Sequence, residues 1–286
     1  MHAYLLMVHK NQQQIINLLK LLDDSRNDIF IHCDIKSGLD LDALRSVVNK
    51  AGLYSVDRQN VVWGDYSQIE CCFSLLRAAC KNHYDYYHLI SGQDLPLKSQ
   101  EYIHSYFQNS HLNYIEVSND AEFTRNHVLY RAGIYHFFTR TRPFSKRCDE
   151  VCCKLQQLVG VHRLRDASRF AYGSLWFSIT DDFAQYLLTT EDKCRKTFRH
   201  GLCCDELFIQ TAIINSPFKN TLYTKGGVSS NMRMIEWWPD NPDNPHIFTM
   251  ADYDRLSSSD CLFARKFDSA VDGEIIRRIS ENVSEA

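Results

Sequence analysis

Apolar and polar positions follow two different periods along the first hundred residues. Four short apolar runs predict β-strands, at 3–8 (AYLLMV), 28–33 (DIFIHC), 60–63 (NVVW) and 86–90 (YYHLI). Between them, apolar residues recur at helical spacing and predict helices at 11–23, 40–51 and 67–82. Strands separated by helices indicate βαβ units, and therefore an α/β fold with a mostly parallel central sheet flanked by helices. Such a sheet binds its ligands at the carboxyl ends of its strands.

The second half of the chain is less regular. Its pattern predicts strands at 111–117 and 174–179, helices within 122–169, and further helices at 181–189, 204–216, 249–257 and from Asp272 onward. Residues 225–260 are otherwise rich in loop-forming residues, with the run PDNPDNP at 239–245. Because the sequence contains no internal repeat and no clear linker, we predict a single compact domain over 1–286.

Composition and charge exclude several classes of protein. The 286 residues are 44% hydrophobic and 23% charged, which is typical of a globular chain and not of a disordered one. A net charge of -3 lacks the basic excess of nucleic-acid-binding proteins, so we expect no nucleic acid partner. No apolar stretch approaches the roughly 18 residues of a membrane span. The apolar run Ala3–Met7 is too short for a signal peptide, so we expect neither a transmembrane segment nor a leader.

The eleven cysteines are an odd number and include three adjacent pairs, at 71–72, 152–153 and 203–204. Adjacent cysteines rarely bridge each other, because they meet disulfide geometry poorly. The C-x₂-C spacing of common zinc sites is absent. We therefore expect mostly reduced thiols in a cytosolic protein, with a partly disulfide-bonded secretory domain as the alternative.

Candidate chemistry begins where polar residues follow predicted strands. Asp34 follows the strand at 28–33, and Asp94 follows the strand at 86–90, so both carboxylates belong at the ligand edge of a parallel sheet. A helix-capping or turn role is the alternative for each. The Gly-rich dinucleotide and P-loop motifs, the nucleophile elbow and the zinc-protease motif are all absent.

Two charged pairs are further candidates. Asp205-Glu206 stands at the start of the apolar helix predicted at 204–216, where capping and the helix dipole offer a structural explanation. Arg265-Lys266 stands between two phenylalanines, a setting that suits an anion such as a diphosphate. A solvated basic pair at a strand edge is the alternative.

Five motifs in this order resemble one glycosyltransferase family: HLISGQDLPLKS (88–99), YGSLWFSIT (172–180), CCDELFIQTAIINSPF (203–218), RMIEWW (233–238) and LFARKFD (262–268). This family contains the core 2/I-branching N-acetylglucosaminyltransferases and the peptide O-xylosyltransferases. MVHKN and IHCDIKS near the start of the chain also resemble its first two strands. The resemblance implies a GT-A-type fold, with a nucleotide-sugar-binding half at about 1–110 and an acceptor-binding, catalytic half at about 111–275. It also implies an inverting transfer from a UDP-sugar with no metal or other cofactor.

The resemblance assigns roles to the donor side by motif position. Glu206 matches the general base that takes the proton from the acceptor hydroxyl. Lys266 matches the basic residue that binds the nucleotide diphosphate in place of a metal ion, and Arg265 beside it is expected to help. Asp34 matches the acidic residue near the uridine, and Asp94 is placed at the same nucleotide-sugar site.

On the acceptor side, Glu116 in YIEV matches a residue that contacts the acceptor sugar. Trp237 matches an aromatic residue of the acceptor pocket, and Trp176 in YGSLWFSIT is assigned to the same side. We expect a glycan or lipid-linked glycan as acceptor. The compact length resembles bacterial members, which implies surface polysaccharide synthesis at the cytoplasmic face of the membrane, with peripheral membrane contact.

The sequence departs from the branching enzymes at one point. Those enzymes carry a second arginine on the diphosphate, but the corresponding segment here, 240–248, has none, and Arg265 is the substitute. N-acetylglucosamine and xylose therefore both stay open as the donor sugar. Two other functions are kept as alternatives: a metal-dependent transferase that uses Asp40 and Asp42 as a D-x-D pair, and an inactive carbohydrate-binding relative.

Overall fold

The computed structural model describes residues 1–139, 142–164, 166–238 and 244–285, with the side chains of 142–145 excepted. The predicted loop run at 239–245 lies mostly outside these residues. The strands are β1 His2–Val8, β2 Asn27–Cys33, β3 Gly52–Ser55, β4 Tyr86–Ser91, β5 Asp94–Pro96, β6 Ser178–Thr180, β7 Thr224–Lys225, β8 Val228–Ser229, β9 Arg233–Ile235 and β10 Phe263–Arg265. No helix in the described ranges has both the length and the apolar character needed to cross a membrane.

Helices fill most of the sequence between these strands. They are α1 Gln12–Leu22, α2 Leu41–Arg45, α3 Ser67–Ala79, α4 Gln100–Phe107, α5 Ala121–Arg131, α6 Arg142–Leu158, α7 Asp181–Thr189, α8 Glu191–Phe198, α9 Phe208–Ile214, α10 Tyr253–Ser257 and α11 Gly273–Glu285. The eleven cysteines all lie within the described residues, and none of them forms a disulfide.

The chain folds into two compact units that interleave in sequence. Unit 1 consists of Met1–Arg58, Tyr84–His111 and Met232–Ala286, and unit 2 consists of Gln59–His83 and Leu112–Asn231. The boundary near 110 thus coincides with one of the points at which the chain passes from one unit to the other. The functional roles of the two predicted halves stay a prediction.

The central sheet of unit 1 is parallel, as predicted. Strands β3, β2, β1 and β4 lie side by side in this order, all in parallel. The register pairs Met7 of β1 with His32 of β2 and with Ser91 of β4. The carboxyl ends of these three strands therefore meet at one edge, and His9, Asp34 and the segment after Ser91 follow there. The mostly parallel α/β architecture is confirmed.

A second, three-stranded sheet of unit 1 brings distant segments together. Strand β10 pairs antiparallel with β5 and parallel with β9. Its register sets Arg265 opposite Asp94 on one side and opposite Ile235 on the other. Two residues that the sequence suggested as donor-site groups, Asp94 and Arg265, are thus neighbours in the fold.

Unit 2 is mainly helical. α3 packs against α7, and Phe73 of α3 lies with its ring centroid 5.8 Å from that of Phe208 in α9. The strand predicted at 111–117 does not form as a continuous strand. Two isolated β-bridges are present there instead, in which Tyr114 pairs with Ser178 and Asn113 pairs with Leu222. The helices predicted within 122–169 are present as α5 and α6.

Two element predictions in the first hundred residues are wrong. No strand forms at 60–63, and β3 at Gly52–Ser55 occupies the sheet edge instead. The helix predicted at 40–51 ends at Arg45. The cause of the early end is Asp23, whose carboxylate accepts hydrogen bonds from the backbone N–H groups of 49, 50 and 51 at 2.7–2.9 Å. Those N–H groups are therefore turned away from a helix and toward α1.

Two predictions in the second half are also corrected. The strand predicted at 174–179 is confined to Ser178–Thr180, because the carbonyl of Ser174 accepts a hydrogen bond from the side chain of Gln210 instead of a strand partner. The helix predicted at 204–216 is divided. A 3₁₀ turn covers Cys204–Glu206, and α9 begins only at Phe208. Glu206 therefore lies in a tight turn before the helix.

Candidate active site

Glu206 is held in the 3₁₀ turn by contacts on both its side chain and its backbone. Cys203, immediately before the turn, has the left-handed φ of 49°, which few residues other than glycine adopt. The guanidinium of Arg131 forms an ion pair with the Glu206 carboxylate and donates to the carbonyl of Cys203 at 3.1 Å. One cation at the end of α5 thus fixes both the strained turn and its carboxylate.

The ring of Tyr172 contacts this ion pair. The centre of the Arg131 guanidinium lies 5.1 Å from the centroid of the Tyr172 ring, within the range of a cation–π contact. Burial and the negative charge of Glu206 raise the pKa of Tyr172. The Glu206 side chain is still 25% exposed, so its carboxylate can reach a ligand from solvent.

Two further acids lie near Glu206, and we call Glu116, Asp205 and Glu206 the acidic cluster. Asp205 is buried and accepts from the Gln68 amide at 3.4 Å, while its Oδ1 has no hydrogen-bond partner in the described part of the chain. Burial, followed by the charge of Glu206, raises the pKa of Asp205. Glu116 is exposed, yet the protein around it and the charge of Glu206 raise its pKa as well. A raised pKa makes a carboxylate a better proton acceptor.

The segment around Gly173 determines how the acidic cluster is assembled. The Gly173 N–H donates to the backbone carbonyl of Glu206 at 3.0 Å. A Cβ atom at Gly173 would lie 2.0 Å from the carbonyl oxygen of Glu116, so only glycine permits this approach. Gln210 of α9 donates to the carbonyls of Glu116 and Ser174 at 3.2 and 2.6 Å. Glu116 and Glu206, both predicted site residues, are brought together in this way.

A group of positive charges lies at the carboxyl edge of the parallel sheet, in unit 1. We call His9, Lys10, Arg265 and Lys266 the basic cluster. Burial lowers the pKa of Lys266, and the positive charges of Arg265 and Lys10 lower it further. Burial and the charges of Lys10 and Lys266 likewise lower the pKa of His9. The like charges held together here, on Lys10, Arg265 and Lys266, are typical of a site that receives an anion.

The members of the basic cluster differ in how they are paired. Lys10 lies 2.7 Å from the carboxylate of Asp268. Arg265 is largely buried and forms an ion pair with Asp94 at 3.4 Å, and Asp94 accepts from the N–H and the hydroxyl of Ser91 at 2.8 Å each. In the described part of the chain, no carboxylate lies within ion-pair distance of Lys266. Lys266 is thus the cation that remains available to a ligand.

Asp34 follows β2 directly and lies in a tight turn. Its carboxylate accepts from the backbone N–H of Lys36 at 2.8 Å, and the Lys36 ammonium lies 3.7 Å away. Arg58 donates to the backbone carbonyls of Asp34 and Ser37 at 3.0 and 2.6 Å. Asp34 therefore stabilises a turn, which was the alternative to a ligand-binding role. It lies at the sheet edge where ligand binding was predicted. Contact with uridine stays a prediction.

Trp176 and Trp237 belong to different units. Trp176 is half-buried in unit 2, and its carbonyl accepts from the Asn231 amide at 3.2 Å. Trp237 is 54% exposed in unit 1, next to Trp238, whose ring stacks on His246 at 3.8 Å. Their acceptor roles stay predictions.

The D-x-D pair has a structural role. Asp40 caps α2 and accepts from the N–H groups of Asp42 and Ala43 at 3.0 and 3.2 Å. Asp42 is exposed and lies 3.3 Å from Arg45 one turn along the same helix. These contacts are the helix-terminus contacts that the sequence pattern explains without a metal ion.

Sequence reasoning missed four residues that complete these clusters. His9 and Lys10 follow β1 directly, so their position at the end of a buried strand was an available signal. Arg131 and Tyr172 gave no such signal, because they are 75 and 34 residues away from Glu206 in sequence and meet it only through the fold.

Comparisons with known proteins agree on one family. The model of the family described as Core-2/I-Branching enzyme matches residues 2–257. Xylosyltransferase 2 from Rattus norvegicus is 25% identical over 302 residues, which cover 96% of this chain and 32% of the relative. Xylosyltransferase 1 from Canis lupus familiaris is 22% identical, over 97% of this chain and 30% of the relative. The chain spans about a third of the length of these curated relatives.

Solved structures give weaker likenesses. The apo structure of the bifunctional glycosyltransferase WbbM has a TM-score of 0.46 at 11% identity and covers 99% of this chain and 50% of that one. Mouse xyloside xylosyltransferase 1 has a TM-score of 0.40 at 10% identity and covers 92% of this chain and 97% of that one.

Proposed function

The chain belongs to the Core-2/I-Branching enzyme family, and on that premise we propose that it is an inverting glycosyltransferase of GT-A type. It moves a sugar, N-acetylglucosamine or xylose, from a UDP-sugar to a hydroxyl group of a glycan acceptor. The observation that carries the proposal is Glu206, a partly exposed carboxylate that Arg131 orients within an acidic cluster. The xylosyltransferase relatives support a sugar-transfer reaction.

The base performs the first part of the reaction. Glu206 takes the proton of the acceptor hydroxyl, and the acceptor oxygen attacks the anomeric carbon of the donor sugar. The bond from that carbon to the phosphate oxygen breaks, and UDP leaves with the electron pair from the opposite face, so the configuration inverts. Arg131 supports this role by holding the Glu206 carboxylate in a fixed orientation, with the acids Glu116 and Asp205 beside it.

Positive side chains replace a metal ion in this proposal. Negative charge builds on the β-phosphate as the sugar leaves, and a fixed cation stabilises that charge more in the transition state than in the ground state. Lys266 supplies this charge, with Lys10 beside it. Arg265 acts mainly by holding Asp94 and by adding its field to that of Lys266.

The acceptor and the place of the reaction are proposed on the family's pattern. We propose a lipid-linked or other surface glycan of a bacterium, extended at the cytoplasmic face of the membrane. An exposed apolar row on α6, formed by Val151, Leu155 and Leu158, supports peripheral contact with a membrane. The capping role of Asp40 does not favour the metal-dependent alternative.

The experiment begins with the donor. Thermal melting is recorded with UDP and with UDP-N-acetylglucosamine, UDP-xylose, UDP-galactose, UDP-glucuronic acid and GDP- and CMP-sugars, because a ligand of the folded state raises the melting temperature. The best donor then serves for kinetics of Glu206→Gln, which keeps the shape but removes the basic oxygen. General bases contribute about 10²–10⁴-fold, so we expect kcat to fall at least about 10²-fold with UDP affinity unchanged.

Glu122→Gln is the matched control, because Glu122 is an exposed acid on α5, the helix that also carries Arg131. It should keep wild-type kcat. If Glu206→Gln keeps more than about a tenth of the wild-type kcat, Glu206 is not the base, and Asp205→Asn is tested next. If no UDP-sugar stabilises the protein or is turned over, the transferase proposal itself is wrong.

A further inference from the structure

Three metal-ligating side chains of different type meet in the interior of unit 2. His136 follows α5, whereas Asp149 and Cys153 are four residues apart and therefore lie on the same face of α6. Each of the three is at most 3% exposed. One potential ligand atom from each lies within 4.8 Å of the other two. None of these residues belongs to the acidic or the basic cluster.

The hydrogen bonds of His136 leave one ring nitrogen directed at this cluster. Its Nε2 lies 2.8 Å from the backbone carbonyl of Tyr130, which can only accept, so the proton of a neutral ring resides on Nε2. The Nδ1 lone pair then points toward Asp149 Oδ2 at 2.9 Å and Cys153 Sγ at 3.7 Å. A neutral ring in this position faces a carboxylate with no proton between them.

A positive charge is therefore needed between these groups. Either Nδ1 takes a second proton, or a metal cation binds the nitrogen, the carboxylate and the sulfur together. The second solution also accounts for Asp149 Oδ1, which is buried and has no hydrogen-bond partner among the residues and side chains that the structure describes. A buried carboxylate oxygen without a partner is costly, and a metal ion satisfies it as a second oxygen ligand.

The surroundings of His136 have the form of a metal-ligand environment. A histidine that binds a metal almost always donates its other N–H to a carbonyl or carboxylate, and Tyr130 supplies that carbonyl. The Tyr130 ring also packs edge-on against the imidazole at 5.3 Å and fixes its plane. An imidazole, a carboxylate and a thiolate form a ligand set that suits Zn²⁺.

A catalytic cysteine is a poorer explanation. In a nucleophilic triad the two ring nitrogens divide the work, with one facing the nucleophile and the other the carboxylate. Here Asp149 and Cys153 both approach Nδ1, and Nε2 is bound to the backbone. The thiol is also buried, so it is not accessible to a substrate.

We propose that His136, Asp149 and Cys153 bind a structural zinc ion that fastens α6 to the segment following α5. This inference does not rest on the proposed sugar transfer, and it leaves the transfer itself free of metal. The site was not signalled by the sequence, because its ligands do not follow a C-x₂-C pattern.

The test uses the whole 286-residue chain, purified without chelator. Zinc is measured by mass spectrometry, and Co²⁺ is titrated into zinc-depleted protein, because a bound thiolate gives cobalt a charge-transfer absorption. We expect about one equivalent of zinc and a thiolate-to-cobalt band in wild type, together with a higher melting temperature after zinc is added. These wild-type measurements do not depend on whether any variant folds.

Cys153→Ser and its control Cys148→Ser then locate the site. Cys148 is exposed on the same helix, one position before Asp149. Cys153→Ser should lose the charge-transfer band. Its zinc affinity should fall by more than roughly 10–100-fold, the loss expected when a residue that only supports a metal ligand is replaced. Cys148→Ser should match wild type in both measurements. The proposal is overturned if wild type binds no zinc, or if Cys153→Ser keeps the band. In the first case the cluster is a buried imidazolium–carboxylate pair.

Discussion

At the scale of single residues, Lys266 carries its charge in a half-buried position beside Arg265 and Lys10. If it stabilises the leaving diphosphate, Lys266→Ala should lower kcat/KM at least about 10²-fold, the scale for removing one such group. UDP affinity, measured by calorimetry, should fall as well. Lys50→Ala, which removes an exposed cation of the same unit, should change neither value. Full activity in Lys266→Ala would contradict a mechanism that relies on this cation.

The basic cluster also predicts how the reaction responds to chelation. A brief exposure to EDTA should leave the initial rate within about twofold of the untreated rate, because Lys266 and its neighbours supply the positive charge. The measurement is an initial-rate assay with and without EDTA, followed by addition of Mn²⁺ or Mg²⁺. A rate that is lost with EDTA and returns only with Mn²⁺ or Mg²⁺ would assign the diphosphate to a divalent ion. Zinc released slowly from unit 2 would lower the melting temperature instead.

The residues of the candidate site differ in how far sequence could identify them. Glu206 and Lys266 stand in motifs that resemble a family, so their types and positions were visible in the sequence. That Arg265 is bound to Asp94 was not visible, because it follows from the antiparallel register of β10 and β5. Arg131 reaches Glu206 across 75 positions, and no local pattern encodes such a contact.

At the scale of elements, the extended segment at Gly173 holds the acidic cluster together. Gly173→Ala introduces a Cβ 2.0 Å from the Glu116 carbonyl, so the segment must move away from Glu116 or from Glu206. Overpacking of this kind costs about 1–3 kcal/mol, and we expect a lower urea midpoint together with a kcat reduced at least about tenfold. Gly38→Ala is the control, because no atom of the described residues lies within 4 Å of the position that its added methyl group would occupy. Equal stability and kcat in the two variants would show that the segment has room to adjust.

Helices and strands were predicted well where the spacing of their apolar residues alone determines them. β1, β2 and β4 are nearly continuous apolar runs, and α1 and α3 have clear apolar faces, so their types and positions agree with the prediction. The prediction was wrong where a distant side chain bonds to the backbone. Asp23 turns the chain after α2, and Gln210 holds Ser174 out of a strand. Such competition between side chain and backbone is not contained in local periodicity.

At the scale of the whole molecule, a group of three histidines in unit 1, of which His2 and His88 are buried and His104 is half-buried, predicts how stability depends on pH. His88 Nε2 lies 3.1 Å from His2 Nδ1, and His104 packs against His2 at 4.0 Å between ring centroids. Burial lowers the pKa of all three, that of His104 to about 4 and that of His2 to about 2. Each is therefore neutral in the folded state at a pH at which the unfolded chain binds a proton.

The folded pKa values of these histidines lie below the unfolded value near 6.5, so the free energy of unfolding is not reduced by their protonation above that pH. As the pH drops from 6.5 toward 4, the unfolded chain binds protons that the folded protein does not, and the free energy of unfolding falls by about 1.4 kcal/mol per pH unit for each histidine. Urea unfolding at several pH values between 7.5 and 4.5 measures the slope. His104→Gln should reduce the slope by the contribution of about one proton. Ser105→Ala, which changes an exposed neighbour, should leave the slope unchanged. The prediction is wrong if wild type and His104→Gln have the same slope.

The interleaving of the two units sets the order in which the molecule can be completed during synthesis. Unit 2 has all of its residues once the ribosome has passed Asn231, but unit 1 still lacks Met232–Ala286 at that point. The missing segment contains β9 and β10, so the second sheet of unit 1 cannot form until this segment has emerged. β5 stays without its partner strand β10 for more than a hundred residues of translation, and Lys266 joins His9 and Lys10 only after that interval. Anion binding by the basic cluster is consequently a property that the nascent chain acquires later than the fold of unit 2.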